Sequence, residues 1–291
     1  MSSWPIELSH GDPPATENGM EGQAEPVSLS TTASAPGSAT APPILEARGV
    51  TKDFGGFVAV SDVNLTFAEG GVYGIIGPNG AGKTTLFNLL SGFLRPSRGT
   101  LWHRGTDITG MPPQKIARRG IVRSFQITSI FGNLTVADNI LLAVQPRFGS
   151  ETSFWTVNRG RERFRREIDR ILEEVGIPAG WKDRAAVSLP YGMKRSLELG
   201  IGLATDPQLL LLDEPTAGMT AQDQPRITEL IRRISVSLTV IIVEHNLGVI
   251  ADLAQKIIVV QQGRLLTQGS YEEVRRDPRV VEAYLGSRAH A

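Results

Sequence analysis

Unbroken apolar runs and segments with helical spacing alternate along most of the chain. Alternating polar and apolar positions in ILEARGVTKDF and NLTFAEG predict two early strands, the second ending at the Gly70 and Gly71 turn. The apolar runs that follow are VYGII, QLLLL, TVIIV and IIVVQQGRL. Continuous apolar strands of this kind are typical of a parallel sheet that helices cover on both faces. The pattern therefore predicts an α/β fold with a parallel sheet.

The stretch from about 127 to 187 has a helical pattern instead and indicates an inserted helical subdomain. One helix is predicted over Val136–Val144. A second is predicted in RERFRREIDRILEEVGI, whose apolar positions share one face: Phe164, Ile168, Ile171, Leu172 and Val175. The charged residues over 159–170 can pair within the helix, so we interpret them as a solvated face rather than as a nucleic-acid patch.

Composition divides the chain into a tail and one large domain. Residues 1–43 are rich in Pro, Gly, Ser, Thr and Ala, which bury too little apolar surface to offset the entropy of ordering, so we predict a disordered tail. Residues 44–291 have the composition of a folded domain. No apolar run approaches the roughly 20 residues of a membrane-spanning helix. The first residues lack the basic and apolar segments of a secretion signal.

Charge and cysteine content restrict the kinds of partner and metal site that the chain can have. The 30 basic and 30 acidic residues cancel, so no overall field favours nucleic acid or an anionic membrane surface. There is no cysteine, which excludes disulfides and thiolate metal sites and fits a reducing compartment. We therefore expect no nucleic-acid partner, and any membrane contact would depend on a local patch.

A glycine-rich loop follows VYGII and precedes an apolar helix that begins near Lys83. Its sequence, GPNGAGKTT, matches the phosphate-binding pattern G-x-x-x-x-G-K-[ST]. Backbone amides of such a loop close around phosphate oxygens, Lys83 reaches the outer phosphates, and the Thr84 hydroxyl is a Mg²⁺ ligand. The predicted nucleotide-binding residues are Gly77, Pro78, Asn79, Gly80, Ala81, Gly82, Lys83, Thr84 and Thr85. We expect binding of a nucleoside triphosphate together with Mg²⁺.

Three polar residues follow the buried runs and are candidates for the chemistry. Asp213 ends QLLLL and is placed to hold the water shell of the metal. Glu214 comes next and is placed to orient or deprotonate a water, which indicates hydrolysis rather than transfer to a second substrate. His245 follows the next buried run, and active groups gather at the carboxyl ends of parallel strands. Alone, such residues are more often a solvated turn and a structural histidine; beside a phosphate loop they indicate an active site.

The stretch SLPYGMKR opens a helix without the usual capping groups. Apolar residues at helical spacing follow: Met193, Leu197, Ile201 and Ala204. Pro190 has no N–H to donate, and Gly192 adds flexibility close to where a helix normally has a polar cap. Either the turn is poorly built, or the bare helix start faces a ligand.

Taken in order, these motifs resemble the nucleotide-binding subunit of an ABC transporter over nearly the whole predicted domain. The resemblance implies a RecA-like P-loop NTPase core with a parallel sheet, an antiparallel β subdomain and the inserted helical subdomain. It implies that Phe54 stacks on the adenine of ATP, and that Gln126 in RSFQITSIFGNLTV touches Mg²⁺ and links two lobes. It also implies that Asp213 and Glu214 are the Walker B aspartate and the catalytic glutamate, with His245 the switch histidine.

The stretch SLPYGMKR lies where this family has its signature, usually Leu-Ser-Gly-Gly-Gln. In such proteins two cassettes pair head to tail, and each signature helix points its N-terminus at the γ-phosphate held by the other. The resemblance therefore implies that Leu189, Tyr191 and Gly192 contact ATP bound to a second subunit, with Gly192 permitting close approach. Pro190 stands where a serine hydroxyl would donate to that phosphate. We expect the ATP site completed by this signature to be the weaker of two in a heterodimer.

Three details resemble the branched-chain amino acid (Liv-type) importers: the tyrosine before Gly192, the AGM sequence after Walker B, and the ending DPRVVEAYLGS within a C-terminal extension over about 270–291. Within that type the chain is similar to the larger ATPase of a pair. The resemblance implies two transmembrane permease subunits, a second ABC ATPase, and a periplasmic or extracellular substrate-binding protein. It places the chain peripherally on the cytoplasmic face of the cell membrane. Relatives carry branched-chain or other hydrophobic amino acids, amides or urea.

Other P-loop proteins fit the sequence less well. The chain has no Asn-Lys-x-Asp guanine motif, and Glu214 argues against a kinase because kinases suppress attack by water. The alternative from another class is a soluble ABC ATPase of translation or DNA repair, although such proteins usually carry two cassettes or a coiled-coil insertion. The stretch 127–134 separates the two classes. Its apolar Ile127, Ile130 and Phe131 fit a groove for a short permease helix, or else pack into the helical subdomain.

Overall fold

Ten strands and nine α-helices make up the described part of the chain, which is residues 42–124, 130–148 and 157–286 of a computed structural model. In chain order they are β1 (Leu45–Phe54), β2 (Phe57–Phe67), β3 (Val72–Ile76), α1 (Lys83–Leu90), β4 (Arg98–His103), β5 (Thr106–Asp107), α2 (Pro113–Ala117), β6 (Ile121–Ser124), α3 (Val136–Val144), α4 (Val157–Glu174), α5 (Tyr191–Ala204), β7 (Leu209–Asp213), α6 (Gln224–Ile234), β8 (Thr239–Val243), α7 (Leu247–Leu253), β9 (Lys256–Gln261), β10 (Arg264–Gly269), α8 (Tyr271–Arg276) and α9 (Pro278–Gly286). Residues 1–41 of the predicted tail lie outside the described residues.

A six-stranded sheet carries the phosphate loop and has the strand order β10-β9-β3-β8-β7-β6. Neighbouring strands pair in parallel, except that β10 is antiparallel to β9. Every residue of β8 and the four leucines of β7 are buried, because helices cover both faces of the sheet. These strands therefore have continuous apolar sequences, and the predicted α/β fold with a parallel sheet is confirmed.

The strand register brings the ends of three buried strands to one edge of this sheet. Asp213 ends β7 and is the pairing partner of Val243 at the end of β8. Val243 pairs in turn with Ile75 of β3. The residues that follow these strands therefore meet at the carboxyl edge, where ligands of parallel sheets bind. They are the phosphate loop, Glu214 and His245.

Two strands differ from the sequence prediction because of hairpin turns. The run IIVVQQGRL is predicted as one strand, but a turn divides it into β9 and β10. Gln262 and Gly263 form that turn with φ of 49° and 74°, the left-handed pair that a two-residue hairpin requires. Strand β2 begins at Phe57, well before NLTFAEG, because it pairs with β1 immediately after the turn at Gly55 and Gly56.

A four-stranded antiparallel sheet, in the order β2-β1-β4-β5, forms the implied antiparallel β subdomain. Its inward side chains, such as Phe67 of β2, belong to a buried cluster. The same cluster contains Phe87 of α1 and Ile75 of the parallel sheet. Burying Phe67 and Phe87 completely removes large apolar surfaces from water, at about 25 cal/mol per Å². This shared core fixes the antiparallel sheet beside the start of α1.

Helices α3, α4 and α5 contain the predicted helical faces. The apolar residues predicted to share one face are buried or partly buried: Phe164, Ile168, Ile171 and Leu172 in α4, and Val175 directly after it. On the exposed side, Arg166 pairs with Glu162 at 3.3 Å and Arg170 with Glu167 at 2.8 Å, so the solvated, internally paired face is confirmed over 162–170. The side chains of 159–161 lie outside the described residues. Helix α3 has the predicted bounds, and a capping box between Thr135 and Asp138 sets its start. The subdomain boundaries at 127 and 187 stay a prediction.

Candidate functional site

The phosphate loop has the backbone shape that its sequence predicts, and it joins β3 to α1. Gly77 has φ of 155°, and a Cβ there would lie 2.1 Å from the carbonyl oxygen of Val260. Gly82 has φ of 95°, and a Cβ there would lie 2.5 Å from the carbonyl oxygen of Ala59. Neither position accepts a side chain. Helix α1 therefore begins with amides that no side chain caps, which is the arrangement that binds phosphate.

Lys83 is buried at the start of α1. Its Nζ donates hydrogen bonds to the carbonyl oxygens of Gly77 at 2.8 Å and Pro78 at 2.9 Å. Burial lowers the pKa of Lys83, and the negative charge of Glu214 opposes that shift. The ammonium is thus held inside the loop, where it can reach the outer phosphates of a nucleotide.

A cleft of about 520 Å³ opens beside the loop. It is lined by loop residues 80–85, by Phe57, Val58 and Ala59 of β2, and by the turn at Gln262 and Gly263. The structure therefore brings most of the predicted phosphate-binding residues to one cavity. The lining from β2 and from the β9–β10 turn carries no motif. Tertiary packing alone brings these residues beside the loop.

Two aromatic residues face each other across the hairpin between β1 and β2. Phe54 and Phe57 are pairing partners, with 49% and 69% of their surfaces exposed. The Nζ of Lys52 lies 5.0 Å from the centre of the Phe54 ring. Phe57 lines the cleft, whereas Phe54, the residue predicted to stack on adenine, is not among its lining residues. The aromatic contact with a base can therefore involve Phe57 as well as Phe54.

Asp213 is held by a basic residue that sequence motifs do not identify. Nη2 of Arg123, on β6, lies 2.8 Å from Oδ2 of Asp213, and both side chains are largely buried. The same guanidinium donates to Oδ1 of Asn88 on α1. The Cζ atom of this guanidinium lies 4.8 Å from the centre of the Phe87 ring and 5.2 Å from the centre of the Phe93 ring. Arg123 therefore orients the carboxylate predicted to bind the metal and leaves its second oxygen for another contact.

Glu214 and His245 come together as predicted. The Nε2 of His245 lies 2.7 Å from Oε1 of Glu214. Glu214 has a left-handed backbone with φ of 47°, and its amide donates to the carbonyl oxygen of Val243 at 2.8 Å. That conformation is costly for a residue with a side chain, and it occurs at tight turns and at functional sites. The turn after β7 therefore aims this carboxylate at His245, two residues beyond the end of β8.

The signature stretch begins α5 at Tyr191, with Pro190 as the N-cap and no side-chain cap. The predicted bare helix start is confirmed. Gly192 is buried, and a Cβ there would lie 3.0 Å from Oδ1 of Asp223, a contact tight enough that the Asp223 side chain would have to shift. The Leu189 side chain is buried in the core. The nucleotide contact implied for Leu189 therefore falls to its backbone.

Tyr284 brings the C-terminal extension to the phosphate loop. Burial raises the pKa of Tyr284 to about 12, and a hydrogen bond from the Gly77 backbone opposes that shift. A second cleft, of about 560 Å³, lies between the loop and α9 and is lined in part by Asn79, Arg279 and Glu282. The extension therefore supports the nucleotide loop of its own chain, a contact that no sequence motif indicates.

Thr84 and Asp213 supply the oxygen donors predicted for Mg²⁺. Thr84 lines the cleft at the start of α1, and Asp213 ends a strand at the same edge of the sheet. Across residues 42–124, 130–148 and 157–286, no three or more His, Cys, Asp or Glu residues cluster as a self-sufficient metal site. This donor set fits Mg²⁺, which keeps several waters and binds through few protein oxygens and substrate phosphates. Gln126, the third predicted metal contact, lies outside the described residues.

The chain matches two protein-family models. Residues 60–217 match the family of ABC transporters, and residues 264–290 match the family described as branched-chain amino acid ATP-binding cassette transporter. The chain is 38% identical over 253 residues to the high-affinity branched-chain amino acid transport ATP-binding protein BraF of Pseudomonas aeruginosa, covering 84% of this chain and 98% of BraF. It is 37% identical to the corresponding protein LivG of Escherichia coli K12, with the same coverage.

Solved structures give the same result. The chain is similar to an ATP-binding cassette of an ABC transporter in its ADP conformation, with a TM-score of 0.73, 30% identity, and coverage of 84% of this chain and 99% of that one. The chain therefore belongs to the ABC transporter family of ATP-binding cassettes. It is an ATPase whose hydrolysis of ATP is coupled to transport. The family and the fold that the motifs resemble are confirmed.

Proposed function

We propose that the chain is the larger of two different ATPase subunits that power an importer of branched-chain or related hydrophobic amino acids. The observation that carries this proposal is the match of residues 264–290 to a family of branched-chain amino acid cassettes. This segment covers β10, α8 and α9, and α9 reaches the phosphate loop through Tyr284. The names of BraF and LivG support the same cargo.

In this proposal ATP lies in the cleft beside the loop. Phe54 and Phe57 stack against or flank the adenine, and aromatic faces accept any base by stacking. The amides of the loop and of α1 surround the phosphates, and Lys83 exchanges its carbonyl partners for the outer phosphate oxygens. The binding energy is therefore divided between an apolar contact at the base and charged contacts at the phosphates.

Hydrolysis is assigned to the residues at the carboxyl edge. When bound, Mg²⁺ neutralises part of the phosphate charge, and Thr84, Asp213 and Gln126 are the residues that would hold it. The Glu214 carboxylate orients a water and accepts its proton as the water oxygen attacks the γ-phosphorus. The bond from that phosphorus to the β–γ bridging oxygen breaks, which gives ADP and phosphate. His245 holds the carboxylate and contacts the γ-phosphate.

The assembly needs further chains. Two transmembrane permeases form the path, a second ATPase completes the paired sites, and a periplasmic or extracellular binding protein delivers the cargo, with this chain on the cytoplasmic face. Leu189, Tyr191 and Gly192 contact ATP bound to the second ATPase. Within the described ranges, no helix is long and apolar enough to cross a membrane.

The permease contact is assigned to the apolar residues beside Gln126. Phe131 is 59% exposed, whereas Ile130 packs against the core, and Ile127 lies outside the described residues. Phe131 therefore supports docking, and Ile130 supports the alternative of internal packing. A Phe131→Asp variant is expected to lose co-purification with the permeases, while Val236→Asp, at another exposed apolar position, keeps it. Retained permeases in Phe131→Asp would remove the docking role.

Uptake of labelled leucine in a strain that lacks this gene tests the proposed cargo. The wild-type chain is expected to restore uptake, and Glu214→Gln is expected not to. Labelled urea and a labelled amide are the other arms of the experiment. Restored uptake of urea or the amide without leucine would change the cargo to that class, and restoration of none would support the non-transport alternative.

A further inference from the structure

Glu244 is a buried carboxylate with no role in the steps above, and it precedes His245 at the end of β8. Only 4% of its surface is exposed. Its Oε1 accepts hydrogen bonds from the Thr216 amide at 2.9 Å and the Thr216 hydroxyl at 2.6 Å. Its Oε2 accepts one from the His245 amide at 3.2 Å. Both oxygens are therefore engaged, and they join the turn after β7 to the turn after β8.

These bonds fix the geometry of the catalytic pair. Thr216 lies two positions after Glu214. The Glu214 amide donates a hydrogen bond to the carbonyl oxygen of Val243 on β8. On the other side, the Asn246 side chain caps α7 through the amide of Gly248 at 3.0 Å, which anchors the end of the second turn. The backbones that carry Glu214 and His245 are thus tied to one carboxylate. Their side chains meet at 2.7 Å because both turns are held.

The same network extends to the start of α5. The Tyr191 hydroxyl donates to the carbonyl oxygen of Ala217 at 2.9 Å. Gly218 follows with φ of 71°, and a Cβ there would lie 3.1 Å from that hydroxyl, so the turn is shaped around the tyrosine. Ala217 is next to Thr216. A continuous path of bonds therefore runs from Tyr191 through the turn to Glu244 and on to His245.

We propose that Glu244 is a positioning residue that couples the signature helix start of this chain to its own Glu214–His245 pair. The inference rests on the proposed function, because it assumes that α5 faces ATP bound by the second ATPase. A displacement of Tyr191 moves Ala217 and Thr216, and Glu244 transmits that displacement to the turn that carries His245. Glutamate is required because all of its contacts are donors, and a glutamine amide would place an N–H against one of them.

The test measures ATP turnover in the complete transporter, reconstituted in membranes. Glu244→Gln and Thr216→Val are expected to lower kcat about tenfold or more with the KM for ATP changed less than about twofold, since small displacements of reacting groups cost large factors in rate. Thr216→Ser keeps the hydroxyl and is expected to retain turnover. Tyr73→Phe is a matched control that loses another tyrosine-to-backbone hydrogen bond, at Ala68, and is expected to behave as wild type.

The coupling itself is tested by a double-variant cycle. Tyr191→Phe is expected to lower kcat about threefold alone and to add less than about twofold to Glu244→Gln, because both act on one path. The coupling would be overturned if the double variant lowered kcat by the product of the two single effects. Wild-type turnover in Tyr191→Phe would overturn it as well. Wild-type kcat in both Glu244→Gln and Thr216→Val would overturn the positioning role. Failure of the proposed function would give a different result, because the wild-type assembly itself would then show no ATP turnover.

Discussion

The Nε2 of His245 lies 2.7 Å from Oε1 of Glu214, although the two residues follow different strands. Parallel pairing of β7 with β8 brings their ends together, and the left-handed backbone of Glu214 aims its side chain across the gap. The imidazole thus restrains the carboxylate that we propose as the base. From this relationship we expect His245 to act in turnover rather than in ATP affinity.

His245→Ala is expected to lower ATP turnover about 100-fold, because the carboxylate loses its orienting partner and the γ-phosphate loses a contact. Binding of ATP, measured by nucleotide titration, is expected to change less than about twofold, since the loop and Lys83 are untouched. A variant with wild-type turnover, or one in which only ATP affinity falls, would contradict this role.

Arg123→Met is expected to raise the Mg²⁺ concentration for half-maximal turnover several-fold. The reason is that Asp213 loses the guanidinium that fixes one of its oxygens at 2.8 Å. The measurement is a Mg²⁺ titration of ATP turnover. Arg48→Met is a suitable control, because Arg48 also pairs with a carboxylate at 2.7 Å, that of Glu46, but on the surface. Equal Mg²⁺ dependence in all three proteins would show that Arg123 does not support Asp213.

Phe54→Ala and Phe57→Ala are each expected to raise the KM for ATP about tenfold. A stacked base is worth roughly 1 to 3 kcal/mol, and about 1.4 kcal/mol corresponds to a factor of ten. Turnover at saturating ATP is expected to stay within about twofold, because both rings are assigned to the base and neither takes part in the chemical step. Unchanged KM in Phe54→Ala alone would transfer the adenine contact to Phe57, and unchanged KM in both would remove the base from this hairpin.

Pro190→Ser is expected to strengthen ATP-dependent association with the second ATPase about tenfold. The added hydroxyl can donate to a charged phosphate oxygen, a bond worth roughly 1.5 to 3 kcal/mol. Association is measured by sedimentation or light scattering with and without ATP. Pro112→Ser is the matched control, since Pro112 is also a helix N-cap without a side-chain hydrogen bond. Its backbone is similar, with φ of −59° and ψ of 143°, compared with −53° and 153° at Pro190. Equal association in both variants would disprove the weak-site interpretation.

The parts of the site that sequence could predict are those that local chemistry dictates. The phosphate loop is identifiable because Gly77 and Gly82 occupy backbone positions that exclude a side chain. Asp213 and His245 are identifiable because each lies at or just beyond the carboxyl end of an apolar strand, and the strand ends of a parallel sheet converge. The helical face of α4 is identifiable from its spacing alone.

The parts that sequence could not predict are contacts between segments far apart in the chain. Arg123 reaches Asp213 across β6 and β7, and Glu244 reaches Thr216 across two turns. No periodicity or motif marks such pairs, because tertiary packing alone brings them together. The predicted single strand IIVVQQGRL fails for a local reason instead: its QG turn was hidden among residues that also suit a strand.

The most direct test of the account is to measure phosphate release and labelled leucine uptake together in vesicles that contain the complete transporter. With the wild-type chain, ATP is expected to drive both, and with Glu214→Gln both are expected to fall about 100-fold or more while ATP binding persists. If the Glu214→Gln transporter still took up leucine, or still released phosphate at the wild-type rate, the claim that hydrolysis assisted by Glu214 drives import would be contradicted.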